Sequence, residues 1–345
     1  MRKIVVNLAD KRSRWAITDD AIQRIRAALP AEWQMTQVAT LTSSVGDGSG
    51  FSDEAAHAIA DAEIYVGFGF PRELFLAATA NGSKLRWVHS GAAGVGASLY
   101  PEMIGSDIIL TNSAGIHAPP MADTVLAMIF HFARGIDFAV RNQARSAWDQ
   151  SAFDHVESPV VELRDLAVGI LGFGGIGREV ARRTKSLGMR VLATRRRPHE
   201  STEDAEVIAG DAAGVERVLR ESDVVVIALP STAETRGLIG ARELAFMKPS
   251  AVIINVARGN IIDENALIDA LQRGRIRGAG LDVFEREPLV SDSPLWLLPN
   301  TLILPHVSAT TTHFWEREAE LIVDNFERYL AGRPLRNVVD KTAGY

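Results

Sequence analysis

The run Gly172-Phe173-Gly174-Gly175-Ile176-Gly177 constrains this chain more than any other stretch. Glycines spaced G-x-G-x-x-G allow a tight turn, close approach of a pyrophosphate and tight packing of the next helix. The spacing alone says little in a chain with 28 glycines, but its neighbours give it meaning. Leu166-Ala167-Val168-Gly169-Ile170-Leu171 directly before it reads as a buried strand, and Ile176, Val180, Ala181 and Leu187 fall on one helix face after it. Strand, turn and helix together predict a βα unit that binds a dinucleotide. The helix N-terminus brings unpaired N–H groups and partial positive charge to the phosphates, and Gly172, Gly174, Gly175, Ile176 and Gly177 line them.

The end of the next strand reads out the cofactor. A ribose-binding acid is usual there, yet Arg190–Thr194 runs into Arg195-Arg196-Arg197-Pro198. Arg195 stands where the acid would be, with Arg196 beside it, and a guanidinium suits a 2′-phosphate in charge and in two-pronged geometry. NADP(H) is therefore expected in preference to NAD(H), the alternative being a solvated basic turn.

Short apolar runs alternate with helix-period segments along the whole chain, the pattern of parallel sheets built from βα units. Strands are expected at Lys3–Leu8, Met35–Ala39, Ile64–Phe68, Arg86–His89 and Ile108–Thr111, with helices such as Asp19–Leu29 and Arg72–Asn81 between them. A second series of six is expected at Leu166–Leu171, Arg190–Thr194, Val224–Ala228, Ala251–Asn255, Gly278–Leu281 and Thr301–Leu304. A helix from Pro119 to Arg134 is placed as a bridge between the two series. Another, Trp315–Leu330, is left over once the second sheet is complete, so it is expected to return to the first. The fold class is thus α/β with two doubly wound parallel-sheet domains. A substrate domain at 1–112 is completed by 309–345, and a dinucleotide-binding domain spans 113–308.

Composition narrows the function classes. The net charge of −6 over 345 residues offers no overall basic field for nucleic acid or anionic lipid. No cysteine is present, which removes disulfides and thiolate metal sites, and no metal site is expected. Met1–Asp10 reads as a first strand, its apolar run being too short for a signal peptide. The most apolar helix candidate, Val125–Phe132, falls far short of the ~20 residues that span a bilayer. A cytoplasmic protein with no membrane partner is expected.

Three groups stand at successive strand ends in the C-terminal third, where open α/β sheets bind ligands. Arg258 closes Asn255-Val256-Ala257-Arg258-Gly259, the next strand closes on Leu281–Pro288, and His306 closes Leu302-Ile303-Leu304-Pro305-His306. Hydride reduction of a keto acid needs a cation or N–H donors for the carboxylate, polarisation of the carbonyl, and a proton for the developing alkoxide. Histidine is the usual proton donor.

These stretches resemble the D-isomer-specific 2-hydroxyacid dehydrogenases. The matching segments are Val168–Gly177, Leu229–Thr235, Met247-Lys248-Pro249, Ile254–Asp263, Gly280–Pro288 and Leu298–His306, within a span from Leu85 to about Asn337. The resemblance implies a Rossmann domain for NAD(P), a flavodoxin-like substrate domain, and reduction of glyoxylate, hydroxypyruvate or a related 2-keto acid to the D-2-hydroxy acid. By position it implies Arg258 as the carboxylate and carbonyl clamp, His306 as the acid–base and Glu287 as its supporting carboxylate. Asp282 matches the family's aspartate near the nicotinamide carboxamide. Leu229, Pro230, Thr235, Val256, Ala257 and Arg258 would line the cofactor, which Thr124 would approach from the bridging helix. Ser90–Gly96 is similar to the family's substrate loop, with Ala93 and Gly94 giving amides to the carboxylate. A homodimer is expected by the same analogy.

Two departures stand out. His117 replaces the Asn or Thr that many relatives carry beside the substrate, and Arg195 replaces the acid. The alternatives are a formate or phosphite dehydrogenase on the same fold, or a dinucleotide-sensing co-repressor that binds without turnover.

Overall fold

The computed structural model describes residues 1–44, 49–80, 82–154, 158, 160–197 and 201–344. Asn81, the last residue expected for the helix from Arg72, and Pro198, which ends the arginine run, lie outside the described residues. The chain divides into two compact units, Met1–His117 with Thr311–Tyr345, and Ala118–Thr310.

The first unit is built on five parallel strands: β1 (Arg2–Asn7), β2 (Trp33–Gln37), β3 (Ile64–Gly67), β4 (Trp87–Ser90) and β5 (Ile109–Asn112). Their spatial order is β2-β1-β3-β4-β5, the doubly wound order of flavodoxin-like sheets. Strand alternation sends neighbouring side chains to opposite faces. Val5, Tyr65 and Val88 enter a core with Ile59, Leu74 and Phe75 from helices α2 (Asp53–Ile59) and α3 (Arg72–Thr79). Ile4, Val6, Ile64 and Trp87 enter the other core with Ile22 and Ile25 of α1 (Asp19–Ala27) and with Phe314, Trp315, Ile322 and Phe326 of the C-terminal helix Phe314–Leu330. That helix therefore supplies half the cover of one face. Thr18 caps α1, its side chain accepting from Ala21 N–H, and Asp19 and Asp20 fill the first turn, where negative charge is favoured.

The second unit holds a seven-stranded parallel sheet: β6 (Ala167–Leu171), β7 (Arg190–Arg195), β8 (Glu206–Ala209), β9 (Val224–Ile227), β10 (Val252–Asn255), β11 (Gly278–Leu281) and β12 (Thr301–Ile303). The order is β8-β7-β6-β9-β10-β11-β12, so the winding reverses between β6 and β9. Six strands were expected. The seventh, β8, is a four-residue edge strand pairing with Leu192–Arg195, and only Val207 in it is buried, too little to register as an apolar run. Val168, Ile170, Val224 and Val226 pack with helix α4 (Ala118–Ala133) and with Val180 and Ala181 of α6 (Gly175–Ser186). Helix α5 (Ile136–Ala144) follows α4. Leu171, Val225 and Ile227 face the other side, with α7 (Ala212–Glu221) and α8 (Glu264–Gln272). The helix expected as a bridge belongs to the second unit from Ala118 onward. No helix among the described residues is long and apolar enough to cross a membrane.

Candidate active site

The glycine turn stands at the reversal point of the second sheet. Gly172 has φ +103°, and a Cβ there would lie 2.6 Å from the carbonyl oxygen of Ala228, so only glycine lets the turn after β6 pass the end of β9. A Cβ on Gly177 would meet the Gly172 carbonyl at 2.2 Å, which locks the first turn of α6 onto the glycine turn. At Gly174, by contrast, a Cβ would meet nothing within 4 Å. Gly174 is also the N-cap of α6 and provides no side-chain acceptor for its first N–H groups. An open cradle in front of uncapped amides at the start of a 12-residue helix fits a dinucleotide pyrophosphate.

Beside it, β7 ends on the half-buried Arg195, and Arg196 and Arg197 follow exposed. Leu229 packs partly against the core and Pro230 is exposed. Thr235 closes its own turn, its hydroxyl donating to Pro230 O at 2.7 Å and its oxygen accepting Thr232 N–H at 2.8 Å. Val256 and Ala257 point into opposite cores, so their side chains are turned away from any ligand.

The three C-terminal strand ends are tied crosswise. Asp282 N–H donates to Asn255 O at 3.0 Å, and His306 N–H donates to Asp282 O at 2.9 Å, which continues the sheet ladder past β10, β11 and β12. Asn255 shapes the turn that carries Arg258, accepting Ala257 N–H at 3.0 Å and donating to Arg258 O at 3.0 Å. The guanidinium of Arg258 is exposed, with one N–H on Ala257 O at 2.7 Å. A Cβ on Gly259 would fall 1.8 Å from the carbonyl carbon of Phe284, so the Arg258 turn and the segment leading to Glu287 pass one another with no room for a side chain.

His306 has φ +55°, the left-handed region that a non-glycine residue enters only when its surroundings hold it there. Asp282 does the holding. Its buried carboxylate accepts Val307 N–H at 2.7 Å on one oxygen and Ser308 N–H at 3.0 Å on the other. Asp282, which the resemblance sets near the nicotinamide, thus also braces the backbone of the histidine loop. Thr124 meets the far end of the same loop, its hydroxyl 3.4 Å from Ser308 O.

The imidazole and its partner are brought together as expected: His306 Nδ1 is 2.6 Å from Glu287 Oε2. The other carboxylate oxygen accepts Phe284 N–H at 3.0 Å, which fixes the carboxylate plane. A carboxylate only accepts, so Nδ1 carries the hydrogen and Nε2 is the nitrogen left to exchange a proton. Nε2 has no partner among the described residues, and the histidine side chain remains 42 % exposed.

In the first unit, Ala93 is exposed and Gly94 half-buried in the loop after β4. His117 lies flat against Phe314, with ring centroids 5.3 Å apart, and edge-on to Trp15. No cluster of three or more metal-ligating side chains occurs among the described residues.

Residues 126–308 match the family model described as "D-isomer specific 2-hydroxyacid dehydrogenase, NAD binding domain". A glyoxylate/hydroxypyruvate reductase B of Pectobacterium atrosepticum is 39% identical over 234 residues, covering 68% of this chain and 72% of that protein. A D-3-phosphoglycerate dehydrogenase of Archaeoglobus fulgidus is 35% identical over 233 residues, and there the chain spans only 43% of the relative's length. Among solved structures, a D-isomer-specific 2-hydroxyacid dehydrogenase of Xanthobacter autotrophicus in complex with NADPH and MES superposes with a TM-score of 0.80. It is 31% identical, with both chains fully covered.

Proposed function

The chain belongs to the D-isomer-specific 2-hydroxyacid dehydrogenases, nicotinamide-dependent enzymes that interconvert 2-keto and 2-hydroxy acids, and on that premise we propose that it reduces glyoxylate, hydroxypyruvate or a similarly small 2-keto acid with NADPH. The observation that carries this reading is the His306–Glu287 pair, with Nε2 open at a strand end tied to the Arg258 turn. When bound, the reduced nicotinamide supplies the hydride to the carbonyl carbon. His306 gives the carbonyl oxygen its proton from Nε2, and Glu287 stabilises the charged ring during that transfer. Arg258 neutralises the substrate carboxylate and draws charge toward the carbonyl oxygen. Ala93 and Gly94 add backbone N–H donors to the carboxylate.

NADPH is preferred over NADH on the strength of Arg195 at the end of β7, supported by the NADPH held by the Xanthobacter relative. The reading extends to a cytoplasmic homodimer. Ile136 and Val140, one helical turn apart on α5, stand 42 and 52 % exposed, and Trp148 after the helix stands 92 % exposed, apolar surface suited to a second copy. Oxidation of NADPH and NADH against a panel of 2-keto acids tests the function. Turnover of glyoxylate or hydroxypyruvate is expected, and tight dinucleotide binding without turnover of any keto acid would point to a sensor instead.

A further inference from the structure

A chain of wholly buried polar side chains runs through the first unit beneath the Ser90–Gly94 loop. Trp87, His89, Thr111, Ser113 and Glu318 have no exposed surface. Trp87 Nε1 donates to Thr111 Oγ1 at 2.8 Å, and the indole has no other role to offer. Thr111 Oγ1 accepts there and lies 2.8 Å from His89 Nδ1. On the other side of the ring, His89 Nε2 faces Glu318 Oε1 at 3.0 Å. Ser113 Oγ lies 3.1 Å from that same carboxylate oxygen and 2.9 Å from the carbonyl oxygen of Ser90.

A buried carboxylate is a poor way to gain stability, since an apolar residue of similar size packs without loss of hydration. Glu318 Oε2 even lacks a hydrogen-bond partner among the described residues. What the chain of contacts does accomplish is visible in the loop above it. Gly91 N–H donates to Gly67 O at 2.8 Å, Ser90 Oγ to Phe68 O at 3.1 Å, and Asn112 Nδ2 to Ala93 O at 2.8 Å. A Cβ at Gly91 would press to 3.0 Å from Leu8, 3.1 Å from Phe68 and 3.2 Å from Glu318 Oε1, so the loop packs closely in front of the carboxylate. Ala92 is held as well, its N–H donating to Ser90 Oγ at 3.3 Å and its carbonyl accepting Ser113 N–H at 3.4 Å. The N–H groups of Ala93 and Gly94 meet no acceptor among the described residues.

We infer that the buried His89–Glu318 pair, acting through Ser113 and the Ser90 carbonyl, is a positioning device that holds the free amides of Ala93 and Gly94 in register for the substrate carboxylate. The inference rests on the reading that this loop binds that carboxylate. It assigns to Glu318, on the C-terminal helix, a part in substrate selection that its distance in sequence from the loop conceals.

Steady-state kinetics with NADPH and glyoxylate or hydroxypyruvate test it in the full-length protein. Ser113→Ala and Glu318→Ala are expected to raise the keto-acid KM about tenfold or more, while kcat and the NADPH dissociation constant stay within about threefold. Glu318→Gln still accepts from His89 Nε2 and should recover most of the wild-type KM. An unchanged keto-acid KM in Ser113→Ala overturns the inference, whether or not Glu318→Ala folds. So does a Glu318→Ala variant that only melts earlier. Ala93→Pro, which deletes one amide N–H, separates the two levels. If it leaves the KM unchanged, the loop does not bind the carboxylate. If it raises the KM while Ser113→Ala does not, the loop reading stands and the positioning role falls.

Discussion

Nδ1 of His306 lies 2.6 Å from Oε2 of Glu287, and the second oxygen of that carboxylate is held by Phe284 N–H at 3.0 Å. A base oriented this tightly has one tautomer and one direction of proton transfer. His306→Ala is expected to lower kcat about a hundredfold or more, with NADPH affinity retained. Glu287→Gln should fall between the two proteins. Reduction takes a proton through Nε2 and oxidation returns one, so the two directions should show pH–rate profiles of opposite slope, and His306→Ala should flatten both. Profiles that keep their slopes in the variant would place the acid–base elsewhere.

Asp282 sets the loop on which that histidine stands. In Asp282→Asn, one of the two backbone N–H groups from Val307 and Ser308 must face an amide NH2 in place of an oxygen. Losing a charge-assisted bond of this kind costs about 1.5–3 kcal/mol and leaves His306 free to relax from φ +55°. Urea unfolding should show the stability loss, and kcat should drop about tenfold or more with little change in NADPH binding. A large rise in the NADPH dissociation constant with kcat intact would return Asp282 to the role of a cofactor ligand.

Arg258→Lys keeps the charge and removes the planar fork. It should reduce kcat/KM for keto acids far more than it weakens NADPH binding, on the order of a hundredfold against severalfold. Loss of NADPH binding with saturating turnover preserved would make Arg258 a cofactor residue.

Arg195→Asp restores the acid expected for ribose hydroxyls. The ratio of kcat/KM for NADPH over NADH should fall at least about tenfold, the size of one charge-assisted contact. Equal use of both cofactors by the unmodified protein would remove the reason to assign Arg195 to the 2′-phosphate.

Asp10 supplies a pH test of stability. Burial pushes its carboxyl up, but Arg12 Nη2 at 2.9 Å and the backbone N–H groups of Arg12 and Ser44 outweigh burial and hold it at about 2. The folded state therefore releases this proton more readily than the unfolded chain, whose aspartates titrate near ~3.9. The stabilisation, on the order of 1–2 kcal/mol, is complete above about pH 5 and disappears as pH falls from about 4 toward 2. Unfolding of the unmodified protein and Asp10→Asn should differ at pH 7 and converge at the acid end. A difference that stays constant down to pH 3 would rule out the linkage.

Much of this protein follows from local pattern. The glycine run with apolar residues on both sides specifies strand, turn and helix because each step is a short-range steric requirement, and the structure places those elements at Ala167–Leu171 and Gly175–Ser186. Short apolar runs set between helix-period segments likewise announce two parallel sheets, since strands covered on both faces are apolar throughout. Edge strand β8 escaped notice because only Val207 in it is buried, so the hydrophobic signal that marks a central strand is missing.

Tertiary structure decided what depends on distant segments meeting. That Asp282 braces His306, that Gly259 must lack a side chain beside Phe284, and that Glu318 reaches under a loop more than two hundred residues earlier in the chain are set by hydrogen bonds and close packing between strand ends and a returning helix. No local periodicity encodes such contacts. They exist only once the sheets have formed and burial has made unpaired polar groups costly.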